Sequence, residues 1–300
     1  MSGFTQINLA RLPAPKVIET VAFEELLAEM KLAAIAELPE LADVLELESE
    51  PATKLLRVCA YYRMLDRLAF NDGAKACMLA LATGRDLDGL AAFWGVARLV
   101  LQEAAAGQTP PVPEILETDA DFRRRVQLSL EGHSTAGPIG AYVFWALSSA
   151  ADVKDAGVES PAPGEVLVTV LSRTGDGTAS PALVAAVAAQ LNDDEVRPLT
   201  DLVTVQGAAI TTYEVQATLT LYPGPDESTV LAAVEAAVET YVEDHHHLGH
   251  DIVRSGLYAA LHQPGVQAVT LTEPAADLVL GPSEAAWCSS ISIAVGGRDV

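Results

Sequence analysis

His245, His246, His247 and His250 crowd into one short run, H-H-H-L-G-H, with Asp244 and Asp251 at its two ends. On a helix, imidazoles at i and i+4 share a face and can hold a divalent cation, with a carboxylate as further ligand or base. A metal-dependent hydrolase using His246, His250 and Asp251 is the chemistry this spacing offers. Gly249 lies inside the pair and weakens the helix, and H-E-x-x-H is absent. Without a metal, the run reads as a polar, solvated helix end, where His complements the negative pole.

The other reactive constellations are weaker. G-H-S-T-A (Gly132–Ala136) approaches a nucleophile elbow, but Ala136 replaces the second glycine and a helical pattern precedes it, so it reads as a turn between helices. R-T-G-D-G-T (Arg173–Thr178) lacks the lysine of a phosphate loop and reads as a strand-to-helix connection. Asp119 and Asp121 form a carboxylate pair, yet acidic residues suit any helix start. Arg123, Arg124 and Arg125 are the only basic run. Three successive helical positions cannot share a face, so they imply a salt-bridged face or a contact to an acidic partner. Cys59, Cys77 and Cys288 form no C-x-x-C pair, which argues against zinc and against a disulfide framework; Cys59 and Cys77 read as small buried residues. No residue is assigned as catalytic, cofactor-binding or metal-binding.

The elements that carry these residues follow from periodicity. Residues 1–20 are irregular, with Pro13 and Pro15 as breakers. From Ala22, Phe23, Leu27, Met30 and Ala34 mark one helical face up to Pro39. A second helix starts at Pro51 and carries Val58, Tyr62, Leu65 and Ala69. Its pattern resumes at Ala76, Leu79 and Ala80 beyond a weak Asn71-Asp72-Gly73, with Gly84 as its cap. Asp86 starts a short helix bearing Leu87, Leu90, Ala91 and Trp94. Residues 102–117 read as a proline-broken loop. Helices follow over 120–131 and 139–147. After residue 150 the texture becomes strands and Ala/Val helices. V-K-D-A-G-V-E-S and G-E-V-L-V-T-V-L-S make a hairpin, Ser180 caps a helix to Leu191, and L-V-T-V-Q returns as a strand. A second unit holds an alternating strand Thr211–Tyr222, helices 227–243 and 255–262, and closing strands V-Q-A-V-T-L and S-S-I-S-I-A-V. The fold class is α+β multidomain: an irregular segment 1–20, a helical domain 21–150, and small α+β domains 151–208 and 209–300. The two α+β units share a strand–turn–helix texture that a degenerate duplication would produce.

Formal charge is −23, and residues 151–300 carry −16 of it, with 5 Lys+Arg against 21 Asp+Glu. That field repels phosphates and anionic lipid and favours solubility or a basic protein partner. An acidic adaptor is therefore an alternative function beside the metal-dependent enzyme. No apolar run reaches the ~18–20 residues of a spanning helix, and the first residues lack the order of a signal peptide. The expected start is cytosolic.

Four segments in order resemble the baseplate J-like family of contractile phage tails and R-type pyocin-like particles: A-T-G-R-D-L-D-G-L-A-A-F-W-G-V-A-R (Ala82–Arg98), Thr118–Leu147, Val153–Leu171, and L-G-H-D-I-V-R-S-G-L-Y-A-A-L-H-Q-P-G-V-Q-A-V-T-L (Leu248–Leu271). The resemblance implies a structural wedge subunit without catalytic residues or cofactors. It further implies that two copies join one copy of a different wedge protein, and that repetition around the tail axis closes a ring. The helical half would enter a bundle with partner subunits, and the α+β half would touch neighbouring copies. Tail-fibre, hub or sheath-initiator proteins would be further partners, with no nucleic acid and no membrane insertion. Assembly would take place in the host cytoplasm. The His-rich approach to Leu248 departs from the family pattern.

Overall fold

The computed structural model describes residues 7, 9, 12–13, 15–105, 107, 110–134, 136–224 and 226–299. Its helices are α1 (Phe23–Glu37), α2 (Pro51–Ala76), α3 (Gly84–Ala92), α4 (Asp119–Gly132), α5 (Ile139–Ser149), α6 (Pro181–Leu191), α7 (Glu227–His245) and α8 (Arg254–Leu261). Its strands are β1 (Val100–Gln102), β2 (Ile115–Leu116), β3 (Val153–Glu159), β4 (Glu165–Ser172), β5 (Leu202–Gly207), β6 (Ala209–Leu221), β7 (Val266–Glu273) and β8 (Glu284–Arg298). The class is mixed α+β, with helices concentrated in the N-terminal half, as expected. No helix among the described residues is long and apolar enough to cross a membrane. The chain divides into a helical unit (Thr5–Arg98 with Thr118–Arg123) and an α+β unit (Leu99–Glu117 with Arg124–Val300).

In the helical unit, Leu26 and Leu27 of α1 bury against Ala60 of α2, flanked by Phe23, Met30, Leu56 and Met64. Helix α2 passes its weak spot unbroken because Asn71 is tied there. Its amide donates to the Glu19 carbonyl (2.8 Å) and accepts from the Glu19 N–H (3.1 Å). The helix nevertheless stops at Ala76, short of the expected continuation through Leu79 and Ala80. Beyond its end the Arg123 guanidinium satisfies the Leu79 and Ala82 carbonyls, both at 2.7 Å. Gly84 is not a terminal cap either. It opens α3 at φ 52°, and its N–H donates to Asp119. Leu87 and Ala91 are fully buried, but Trp94 is 42% exposed, so the expected stripe reaches the surface at its end. Cys59 and Cys77, expected inside, are both exposed.

The α+β unit begins with a correction. Residues 102–117 are not wholly loop, because β1 and β2 pair antiparallel and Ala105 bridges Val112 beyond them. Glu117, just after β2, is buried with Arg125 of α4. The guanidinium reaches both carboxylate oxygens at 2.8 and 2.7 Å, and the Leu99 N–H adds a third bond at 3.1 Å. Helix α5 buries Tyr142, Val143, Phe144, Ala146 and Leu147. It packs on β3 and α6.

Two three-stranded modules follow. In the first, β4 is central, antiparallel to β3 and parallel to β5, the latter connection made by α6. Ser180 caps α6 by accepting from Leu183 N–H, and Pro181 fills its first turn, as read from the sequence. In the second, β6 is central, antiparallel to β7 and parallel to β8. Alternation along β6 turns Tyr213, Val215, Ala217, Leu219 and Leu221 inward, where they meet Val230, Val234 and Val238 of α7 and Leu257 and Leu261 of α8. The tight α7–α8 crossing depends on Gly256, whose missing Cβ would lie 2.6 Å from the Tyr241 ring.

Candidate functional site

Every charged residue of the arginine run has a separate internal destination. Arg123 goes to the Leu79 and Ala82 carbonyls and Arg125 to Glu117. Arg124 reaches Asp155 on β3 at 2.8 Å. The run is thus a set of structural ties, which its position on three helix faces requires.

Asp155 is the hub of the contact between the two modules. Oδ1 accepts from Arg124 and from the Ala156 N–H (2.9 Å). Oδ2 accepts from His247 Nδ1 (3.2 Å) and from the Leu248 N–H (3.1 Å). The Arg124 and His247 charges outweigh the cost of burial and hold its carboxyl well below the usual range. Beside it, Lys154 pairs with Glu243 of α7. The segment after α7 then lies between the sheets. Leu248 bridges Ala285, Gly249 N–H donates to Glu284 O (2.9 Å), and Gly157 lies against the Pro282 carbonyl.

The histidine run belongs to this joint. His246 is only 5% exposed. Its Nδ1 donates to the Ala286 carbonyl (2.6 Å), and its ring meets Trp287 edge-on. His245 stacks on Tyr241 and donates to that residue's carbonyl. His247 serves Asp155. Asp251 accepts from the Leu280 N–H at 2.8 Å. His245, His246 and His247 are committed to different partners, the His250 ring lies edge-on to His245 and tilted against His247, and no group of three His, Cys, Asp or Glu able to hold a metal occurs among the described residues. The solvated helix end expected from the sequence is corrected for His246, which the loop Arg173–Thr178 covers. A Cβ on Gly177 would come within 2.9 Å of His246 Nε2 and 2.6 Å of Leu171, at a φ of 95°. Gly177→Ala should therefore cost about 2–3 kcal/mol through overpacking and a left-handed backbone. A melting curve unchanged by it would show that this loop does not seat on His246.

The remaining reactive candidates are turns and caps. Ser134 Oγ accepts from the Ala136 N–H beyond the end of α4, and Thr135 lies outside the described residues. Asp119 pairs with Arg98 at 2.8 Å, and Thr118 Oγ1 accepts from the Asp121 N–H. Asp176 accepts from the Thr178 N–H inside the strand-to-helix loop.

Sequence reasoning missed Asp155 and Glu117. Asp155 carried a signal: it is an acidic residue in a strand, two positions from Val153, on a face that must be buried. Glu117 carried none, following a proline-rich stretch. The α2 stripe read from the sequence stands on the surface of the helical unit. Leu55, Val58, Tyr62 and Leu65 are 68, 53, 62 and 39% exposed. Their spacing of three and four makes one continuous apolar seam, with Tyr61, Leu68 and Phe70 exposed beside it.

Comparison with known proteins gives this arrangement its context. The Baseplate J-like N-terminal domain matches residues 48–105, the central domain residues 134–207, and the C-terminal domain residues 213–294. "Baseplate protein J" of Escherichia phage P2 is 44% identical over 298 residues, covering 98% of this chain and 99% of that protein. The chain belongs to the baseplate J-like family. This baseplate J-like protein is a structural baseplate subunit and not an enzyme. A chain in the cryo-EM structure of the anti-feeding prophage baseplate matches 62% of it at 12% identity and TM-score 0.39, the match spanning 46% of that chain. The family assignment rests on the three domain matches and the phage P2 relative. The segments Ala82–Arg98, Thr118–Leu147, Val153–Leu171 and Leu248–Leu271 hold most of the ties described above: Arg98 with Asp119, Arg124 with Asp155, and Asp155 with Leu248.

Proposed function

We propose that this baseplate subunit is a wedge protein. In this reading two copies join one copy of a different wedge protein through a shared helical bundle. Repetition of that group closes the inner ring of a contractile tail, and the subunit passes on the rearrangement that contraction brings. Assembly takes place in the host cytoplasm. The working domains are residues 21–150, 151–208 and 209–300; of the segment 1–20 before them, residues 1–6, 8, 10, 11 and 14 lie outside the described residues.

The α2 seam carries this proposal. Solvated apolar residues scattered singly need no explanation, but a continuous heptad-spaced row does. A helix with a 3–4 apolar repeat on its outer face is half of a coiled-coil contact. The occupant that fits is another amphipathic helix, from a second copy or from the different wedge protein.

The test uses the full chain with Leu55→Glu and Leu65→Glu combined. Both residues are exposed, so far-ultraviolet circular dichroism should not change. Sedimentation and co-purification with companion tail proteins should show association weakened by ~2–3 kcal/mol per position, about 30-fold or more. Association as tight as that of the unaltered chain would refute the bundle.

A further inference from the structure

Strand β8 ends the second sheet, and its outer edge is covered only at the start. There Gly249 N–H bonds Glu284 O, Leu248 bridges Ala285, and His246 bonds Ala286 O. From Trp287 onward, no strand or bridge among the described residues pairs with that edge. Register shifts occur near Cys288/Ser290 and Val295/Gly297. The regular stretch between them is S-I-S-I-A-V (Ser290–Val295), without a charge or a proline. Sheets that stand alone blunt their edges with lysine, proline or very short strands. This edge has only the two irregularities at its ends.

The apolar layer under the edge is also unfinished. Val215, Ala217 and Leu219 of β6 are buried, whereas their register neighbours Ile291, Ile293 and Val295 are only half-buried. Helix α7 packs against β8 and α8 against β7, yet Ile291, Ile293 and Val295 keep part of their surface open along the rim. One more strand would extend the hydrogen-bond ladder and complete that layer together.

Charge selects the kind of strand. Residues 151–300 carry a net −16, so a second copy would bring like charge against like. On the solvent face, exposed Glu214 stands in register with Ser290. We propose that the β8 edge docks an extended, cationic segment of another protein as a fourth strand. Its alternate apolar side chains continue the layer of Ile291 and Ile293, and its lysines or arginines lie on the Glu214 face. This contact is separate from the α2 seam.

The experiment uses the full chain and labelled peptides of about eight residues, a usual strand length. One alternates Lys and Val, one alternates Glu and Val, and one is the Lys/Val peptide N-methylated at alternate residues. The Lys/Val peptide should bind and protect the amides of residues 290–295 from hydrogen exchange. The other two should bind about tenfold more weakly or worse, since one loses charge complementarity and the other its ladder donors. Ile293→Lys should also abolish binding, while Leu65→Glu on α2 should not. The N-methylated probe keeps the test decisive if Ile293→Lys fails to fold. Equal binding of the N-methylated peptide would overturn the proposal, because no strand would then be added. So would concentration-dependent protection of the same amides without peptide, which would assign the edge to a second copy.

Discussion

Replacing Glu117 with alanine is expected to destabilise the α+β unit by about 3–5 kcal/mol, the cost of stranding one member of a buried ion pair. Glu117 is 0% and Arg125 5% exposed in their side chains. The carboxylate receives two guanidinium bonds and the Leu99 N–H, and the guanidinium also reaches Ser148. Removing the anion leaves Arg125 charged, desolvated and without its fork-shaped partner. Replacing both residues together should cost less than Glu117→Ala alone, because an apolar pair of similar volume avoids burying an uncompensated charge. Chemical denaturation of the two variants measures both numbers. A loss below about 1 kcal/mol for Glu117→Ala would mean that water reaches the pair, as it does for exposed ion pairs.

Asp155→Ala should have the second largest effect, about 3 kcal/mol, and it should loosen the joint rather than the modules. Four donors converge on this carboxylate: Arg124, Ala156 N–H, His247 and Leu248 N–H. Two of them come from the second module. Hydrogen exchange should therefore rise first around residues 245–250 and 153–157, before either sheet opens. Uniform loss of protection across both sheets would contradict this.

Acid should act on the same joint in two stages. Burial lowers the pKa of His246 below its ordinary value. The unfolded chain then binds more protons than the folded one over that interval, so stability rises with pH there. The His246 contribution is complete above its unfolded pKa near ~6.5 and declines as pH falls through the lowered folded value. Asp155, held below the usual range, contributes fully above ~3.9 and fails only in stronger acid. Melting temperatures should therefore drop first as pH falls below ~6.5, and again only in stronger acid. His246→Gln should flatten that first drop and leave the acid one in place.

Much of the architecture was legible because hydrophobic periods are local. The alternation along β6, the Ser180-Pro181 start of α6 and the hairpin of β3 and β4 lie where those patterns put them. Distant partners were not legible. Nothing near Leu79 announces that Arg123 will take its carbonyl. Nothing in H-H-H-L-G-H says that His246 will be enclosed by Gly177 and Ala286. The α2 stripe shows a different limit. Periodicity reports that a helix face will be buried, not which molecule buries it. Leu55 and Tyr62 satisfy the pattern of a core while standing in water.

That stripe also bears on how firmly the helical unit holds its shape. Among the described residues, the α1–α2 cluster holds Leu26, Leu27 and Ala60 as its buried members, and small cores are marginal by themselves. If burial of the α2 row in a bundle supplies the rest, dilution is a denaturant for this region. Its melting point should then climb with protein concentration, as mass action demands of any fold completed by its neighbours.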